Sequence, residues 1–107
     1  MYKNNWDKFT VAKLKKIIIQ KGGGKVLDIG AKDGSSQSFF NENWTWFGID
    51  IDPVSDDVKY GDAQKLDFKD STFDLVICRA TLHYLPEPLN AVTEAYRVLK
   101  KGPKKRF

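Results

Sequence analysis

Residues 25–40 read KVLDIGAKDGSSQSFF, and this stretch decides the fold. Val26-Leu27-Asp28-Ile29 is apolar at nearly every position, as a strand covered on both faces must be. Gly30 and Gly34 frame a turn. A short helix is expected to start near Ser35 and to carry Phe39 and Phe40. Strand, glycine turn and helix in that order open a β-α-β crossover unit. Asp28 stands in the strand just before the turn. Asp50 follows twenty positions after Gly30, inside WFGIDID. Two acids so spaced around a glycine turn suit a ligand with a cationic or polar tail and a ribose.

Outward from this stretch, the N-terminal side reads as a helix near Trp6–Gln20, with Val11, Leu14, Ile17 and Ile18 on one face and lysines elsewhere. Gly22, Gly23 and Gly24 end it. On the C-terminal side, Trp44–Asp52 reads as the second strand, stopped by Pro53. A shorter third strand covers about Val58–Gly61, and Phe73–Arg79 is a fourth, again apolar on both faces. Pro88 suits the first turn of a last helix. Leu89, Val92, Tyr96 and Leu99 recur there at helical spacing, and Lys100 and Lys101 suit the negative end of its dipole. Strands joined by crossovers predict an α/β fold, a doubly wound, mainly parallel sheet with flanking helices. Ligands of such sheets sit beyond the C-terminal ends of the strands, where all the candidate site residues fall.

Bulk properties narrow the classes. A chain of 107 residues, 41% apolar, makes one domain the expectation for residues 1–107, with residues 103–107 a basic tail. The net charge of +4 is uneven, lysines crowding the first 25 residues and the tail while the middle is acid-rich. No aromatic–basic stripe accompanies the lysines, so solvated helix faces are expected rather than a nucleic-acid surface. The single cysteine, Cys78, excludes an internal disulfide and a cysteine-rich zinc site, and suits a reducing compartment. No signal-type or bilayer-length apolar run occurs, so a cytoplasmic protein without a membrane partner is expected.

The turn lacks G-x-G-x-x-G, since Lys32 takes the second glycine's place and Ser35-Ser36 any third. A pyrophosphate therefore fits poorly, which disfavours a nicotinamide dehydrogenase. A carboxylate at the end of the second strand, Asp50, can accept both ribose hydroxyls; its bland alternative is a cap beside Asp52. Asp62, after Gly61, can accept an exocyclic amine of adenine or simply form a turn.

The segments KVLDIGAKDG, WFGIDIDP, YGDAQKLDF and STFDLVICRATLHYLPEPLNAVTEAYRVLKKG resemble, in order and at normal spacing, the motifs of the class I S-adenosylmethionine-dependent methyltransferases, in particular the small-molecule group that includes the ubiquinone-biosynthesis enzymes. The resemblance runs from about Lys25 to Gly102. It implies a Rossmann-like sheet and S-adenosylmethionine as cofactor. It implies that Asp28, Gly30, Ala31, Lys32 and Gly34 surround the methionine end, with Lys32 either pairing with the cofactor carboxylate or pointing to solvent. It implies that Asp50 holds the ribose, Ile51 packs on the adenine, Asp62 and Ala63 receive the adenine amine, and Cys78 and Arg79 line the methionine portion. His83 and Tyr84 would flank the point of methyl transfer to a small-molecule acceptor by direct displacement; the alternative is an inactive cofactor-binding module or relic acting through a partner. The family sheet has seven strands in the order 3-2-1-4-5-7-6, and the motifs here reach only the fourth strand and its following helix. About four strands, ordered 3-2-1-4, are therefore expected. The apolar fourth strand would then be an open edge, expected to pair in a homo-oligomer or with a partner protein.

Overall fold

A computed structural model describes residues 8–78 and 86–101. Helix α1 spans Lys8–Lys21. Strands β1 (Gly24–Ile29), β2 (Trp44–Asp50), β3 (Val58–Tyr60) and β4 (Leu75–Cys78) follow, and helix α2 covers Pro88–Val98. The strands form one sheet in the order β3-β2-β1-β4, every pairing parallel. The predicted α/β architecture and strand order are therefore present, with β2, β3 and β4 each a residue or more shorter than the predicted strand.

The two faces of the sheet follow from side-chain alternation. Val26, Trp44, Leu75 and Ile77 face α1, where Leu14 and Ile18 are buried against them. Leu27, Ile29, Ile49 and Val76 face α2, which contributes Ala91, Ala95 and Val98. Phe73 is fully buried on this side, its ring edge-on to Phe68 at 4.9 Å and to Phe47 at 5.6 Å. Both sheet faces being covered explains why β1 and β4 read as unbroken apolar runs.

The short helix expected from Ser35 is present as a 3-10 stretch, Ser35–Phe39, with no side-chain cap. The inner face of α2 is misread. Leu89 is 79% exposed and Tyr96 47%, while Ala91, Ala95 and Val98 are buried. Alanines let the helix axis come close to the sheet, where Leu27, Phe73 and Val76 fill the space that leucine and tyrosine would otherwise contest. Leu99 is buried, but as the extended residue after the helix, bridged to Phe73. Lys100 does not simply face the helix dipole; its Nζ lies 3.3 Å from Asp74 Oδ1.

The loop from Asp62 to Asp74 crosses from β3 to β4 without a helix and is clamped by one side chain. Arg97 on α2 donates to the carbonyls of Leu66 and Phe68, to Asp70 and to Glu94. Glu94 in turn accepts the Leu66 amide at 2.7 Å. The guanidinium holds the Glu94 carboxyl below its usual range, and the two acids raise the Arg97 pKa.

Candidate functional site

Among the described residues, the buried polar or charged side chains are Asp28, Ser36 and Asp50. All belong to the junction of β1, β2 and the turn between them. Burying such groups is costly unless they are hydrogen-bonded, and here each is.

Asp28 lies opposite Gly48, one residue before the end of β1. Its carboxylate accepts the Ser36 hydroxyl at 2.5 Å, and Ser36 Oγ accepts the Trp46 indole N–H at 2.9 Å. The indole lies flat across Gly48, where any Cβ would run into the ring, and its edge reaches Gly34. Gly48 thus admits Trp46, Trp46 orients Ser36, and Ser36 orients Asp28. Burial pushes the Asp28 pKa up to about 7; the Ser36 hydrogen bond opposes the shift, and the charges of Asp50 and Asp33 add to it. Sequence reading missed Ser36 and Trp46. The one signal was a glycine, Gly48, in the middle of an apolar strand, which marks a close approach.

Asp50 ends β2. Its Oδ2 accepts the Lys32 amide at 3.0 Å and its Oδ1 accepts the Asp52 amide at 2.8 Å. The Lys32 ammonium lies 3.7 Å from Oδ1. In the structure the Lys32 amide and ammonium both address Asp50, while its side chain stays 40% exposed. Its φ of 53° is left-handed, a conformation that disfavours any residue with a Cβ and suits the glycine of the related motif. Gly34, at φ 77°, needs the same freedom. The amides of Gly30 and Ala31 both donate to the Ile49 carbonyl at 2.9 Å, which ties the turn to the tip of β2.

Asp62 follows β3, and the Gly61 amide between them donates to the Asp50 carbonyl at 3.0 Å. Asp62 Oδ1 accepts the Gln64 amide at 2.9 Å, so the turn-forming role is present in the structure. The tips of β1, β2 and β3 thus bring Asp28, Asp50 and Asp62 to one end of the sheet. A cleft of about 630 Å³ is lined by Asp62, Gly61, Ile49 and Phe47, and Asp28 and Asp50 are not among its lining residues. Of the other predicted site residues, Ile51 is 60% exposed beside Asp50, Ala63 is buried in the α2-side core, and Cys78 is half-buried opposite Ile29. Arg79, His83 and Tyr84 lie outside the described residues.

The donor set decides which ligand fits. Carboxylates at three neighbouring strand tips accept hydrogen bonds and attract cations; they repel phosphate. S-adenosylmethionine presents an ammonium, ribose hydroxyls, a sulfonium and an adenine amine, which are cations or donors that suit these acids, beside a carboxylate that needs donors of its own. Among the described residues no group of three or more His, Cys, Asp or Glu side chains is arranged to hold a metal ion, and no helix is long and apolar enough to cross a membrane.

Known proteins resemble this chain in sequence and fold. Residues 27–104 match the family described as Methyltransferase domain. A phosphatidylethanolamine N-methyltransferase of Cereibacter sphaeroides is 32% identical over 97 residues, covering 75% of this chain and 47% of that protein. The crystal structure of the YcgJ protein from Bacillus subtilis superposes with a TM-score of 0.75 at 26% identity, over 89% of this chain and 47% of the other. CrArsM, an arsenic(III) S-adenosylmethionine methyltransferase from Chlamydomonas reinhardtii, gives a TM-score of 0.66 at 25% identity, over 75% of this chain and 36% of the other. This chain spans about half the length of the Cereibacter relative, and less of the Chlamydomonas one.

Proposed function

The chain belongs to the methyltransferase domain family of class I, S-adenosylmethionine-dependent enzymes, and from that premise we propose that it binds S-adenosylmethionine and serves methyl transfer to a small-molecule acceptor. The observation that carries this reading is the pair Asp28 and Asp50. Both are buried, they lie at the tips of adjoining parallel strands, and the charge of Asp50 helps raise the Asp28 pKa. A pair of acids kept out of water at the ligand end of a doubly wound sheet is costly for stability and is explained by a cationic, hydroxyl-bearing ligand.

When bound, the cofactor would supply a sulfonium-borne methyl group to an acceptor nucleophile, with the neutral thioether as the leaving group. The chain's residues hold and orient. Asp28, fixed by Ser36, accepts the ammonium of the methionine end, with Gly30, Ala31 and Gly34 letting the backbone approach closely. Asp50 accepts the ribose hydroxyls, Ile51 covers one adenine face, and Asp62 with the Ala63 backbone receives the adenine edge. Cys78 and Arg79 line the methionine portion, and His83 and Tyr84 meet the acceptor. Because the sulfonium is already a good leaving group, in-line positioning supplies most of the acceleration, and a catalytic acid–base pair is not required.

Calorimetric titration with S-adenosylmethionine and S-adenosylhomocysteine tests the reading. Micromolar binding is expected, weakened at least about tenfold in Asp50→Ala, the loss of a charge-assisted hydrogen-bond pair. Failure of the wild-type chain to bind either nucleoside overturns it. The alternative is a module that holds the cofactor without turnover on its own; binding with no methyl transfer to any acceptor would support it.

The sheet also suggests a partner. The edge of β4 away from β1 pairs with no strand among the described residues, and Leu75, Val76 and Ile77 are buried on its two faces. We propose that this edge pairs with the β4 of a second copy. Size-exclusion chromatography with light scattering should give a dimer; a folded monomer at micromolar concentration counts against it.

A further inference from the structure

We propose that Lys32 is a specificity-determining residue of this site, whose ammonium, held against Asp50, makes the site favour the neutral thioether nucleoside over the cationic sulfonium. The inference rests on the reading of the site as one for an adenosyl cofactor. It goes beyond that reading because glycine, the residue that suits this left-handed position, carries no charge.

The placement of the ammonium is built into the backbone. The Lys32 amide donates to Asp50 Oδ2 at 3.0 Å, and its carbonyl accepts the Val54 amide at 3.2 Å. Both ends of the residue are thereby tied beside Asp50 whatever its rotamer. The ammonium reaches Oδ1 of the same carboxylate at 3.7 Å, although the lysine side chain is 40% exposed and has water available. Asp50 itself is 4% exposed, so water weakens this ion pair less than it would a surface one.

Two consequences follow for a ligand whose ribose meets Asp50. First, Asp50 already accepts two amides and pairs with an ammonium, so it offers ribose hydroxyls acceptor capacity but little net negative charge. Secondly, the sulfonium is bonded to the carbon next to that ribose, so it enters the field of the lysine. At several ångströms in a partly wet site, like charges repel by an amount worth roughly three- to tenfold in affinity. The demethylated thioether carries no charge at that atom and escapes the penalty. Its ammonium, carboxylate, hydroxyls and adenine are otherwise the same, so the pair of ligands isolates this one effect.

The experiment is calorimetric titration of the wild type, Lys32→Gln, Lys32→Gly and Lys32→Arg with S-adenosylmethionine and S-adenosylhomocysteine, at low and high salt. Lys32→Gly relieves the left-handed strain and guards against a misfolded variant. The ratio of the two Kd values should shift roughly three- to tenfold toward S-adenosylmethionine in the Gln and Gly variants, stay near wild type in Arg, and move toward the Gln value when salt screens the wild type. A ratio unchanged within about twofold in both neutral variants, with both nucleosides still bound, overturns the role of Lys32 and leaves the proposed function standing. No binding of either nucleoside to the wild type overturns both.

Discussion

The hydroxyl of Ser36 donates to Asp28 Oδ2 across 2.5 Å while its oxygen accepts the Trp46 indole N–H at 2.9 Å. Ser36 is fully buried, so each of its bonds is made inside the protein, where an unmade one costs more than it would in water. Ser36→Ala leaves the indole N–H without an acceptor and Asp28 without its donor. A loss of about 1–3 kcal/mol in urea-denaturation stability is expected, together with a shift in tryptophan emission.

The pH dependence of stability has a definite sign. Asp28 ionises near pH 3.8 when unfolded and only at about 7 when folded. Between those values the folded state holds a proton that the unfolded state has lost, so stability falls as pH rises through this window and levels off above it. The full effect is on the order of 4 kcal/mol. Asp28→Asn removes the titration. In urea melts at pH 5 and pH 8, the variant should lose much of the wild type's decline and be the more stable protein at pH 8, while binding S-adenosylmethionine more weakly. An identical decline in both proteins would assign the pH dependence to other groups.

Gly48→Ala should destabilise through a single contact. The added methyl falls on the Trp46 ring, so the indole must leave its place over Gly48 and give up Ser36. Overpacking of this kind costs about 1–3 kcal/mol, and the change in tryptophan fluorescence should match that of Ser36→Ala.

Arg97→Ala should release the crossover loop. Four acceptors lose their donor, among them the carbonyls of Leu66 and Phe68 and the carboxylate of Asp70. Arg97 is 29% exposed and Asp70 76%, so the ion pair to Asp70 contributes little and the two carbonyls matter more. A loss of about 2 kcal/mol is expected, with faster amide exchange in residues 63–70. Arg97→Lys should recover little of it, since one ammonium cannot span the positions a planar guanidinium reaches.

Period and punctuation carried most of the fold. Val26 to Ile29 and Leu75 to Cys78 read as strands covered on both sides because they are, and parallel crossovers leave few sheet orders to choose from. The three acids were legible as strand-tip residues from their spacing to Gly30 and Gly61. The inner face of α2 was not: Leu89 and Tyr96 look more apolar than Ala91 and Ala95, yet closeness to the sheet, a property of packing, selected the alanines.

Local order in this chain, then, is written in short-range patterns: alternation, glycine turns, and acids placed where strands end. The partnerships that set the chemistry of the site are long-range. Lys32 meets Asp50 across 18 positions and Trp46 meets Ser36 across 10. Such contacts arise because strands β1 and β2 lie side by side in parallel and the turn folds back over their tips. The protonation of Asp28 depends on the water excluded by that packing, which no stretch of neighbouring residues encodes.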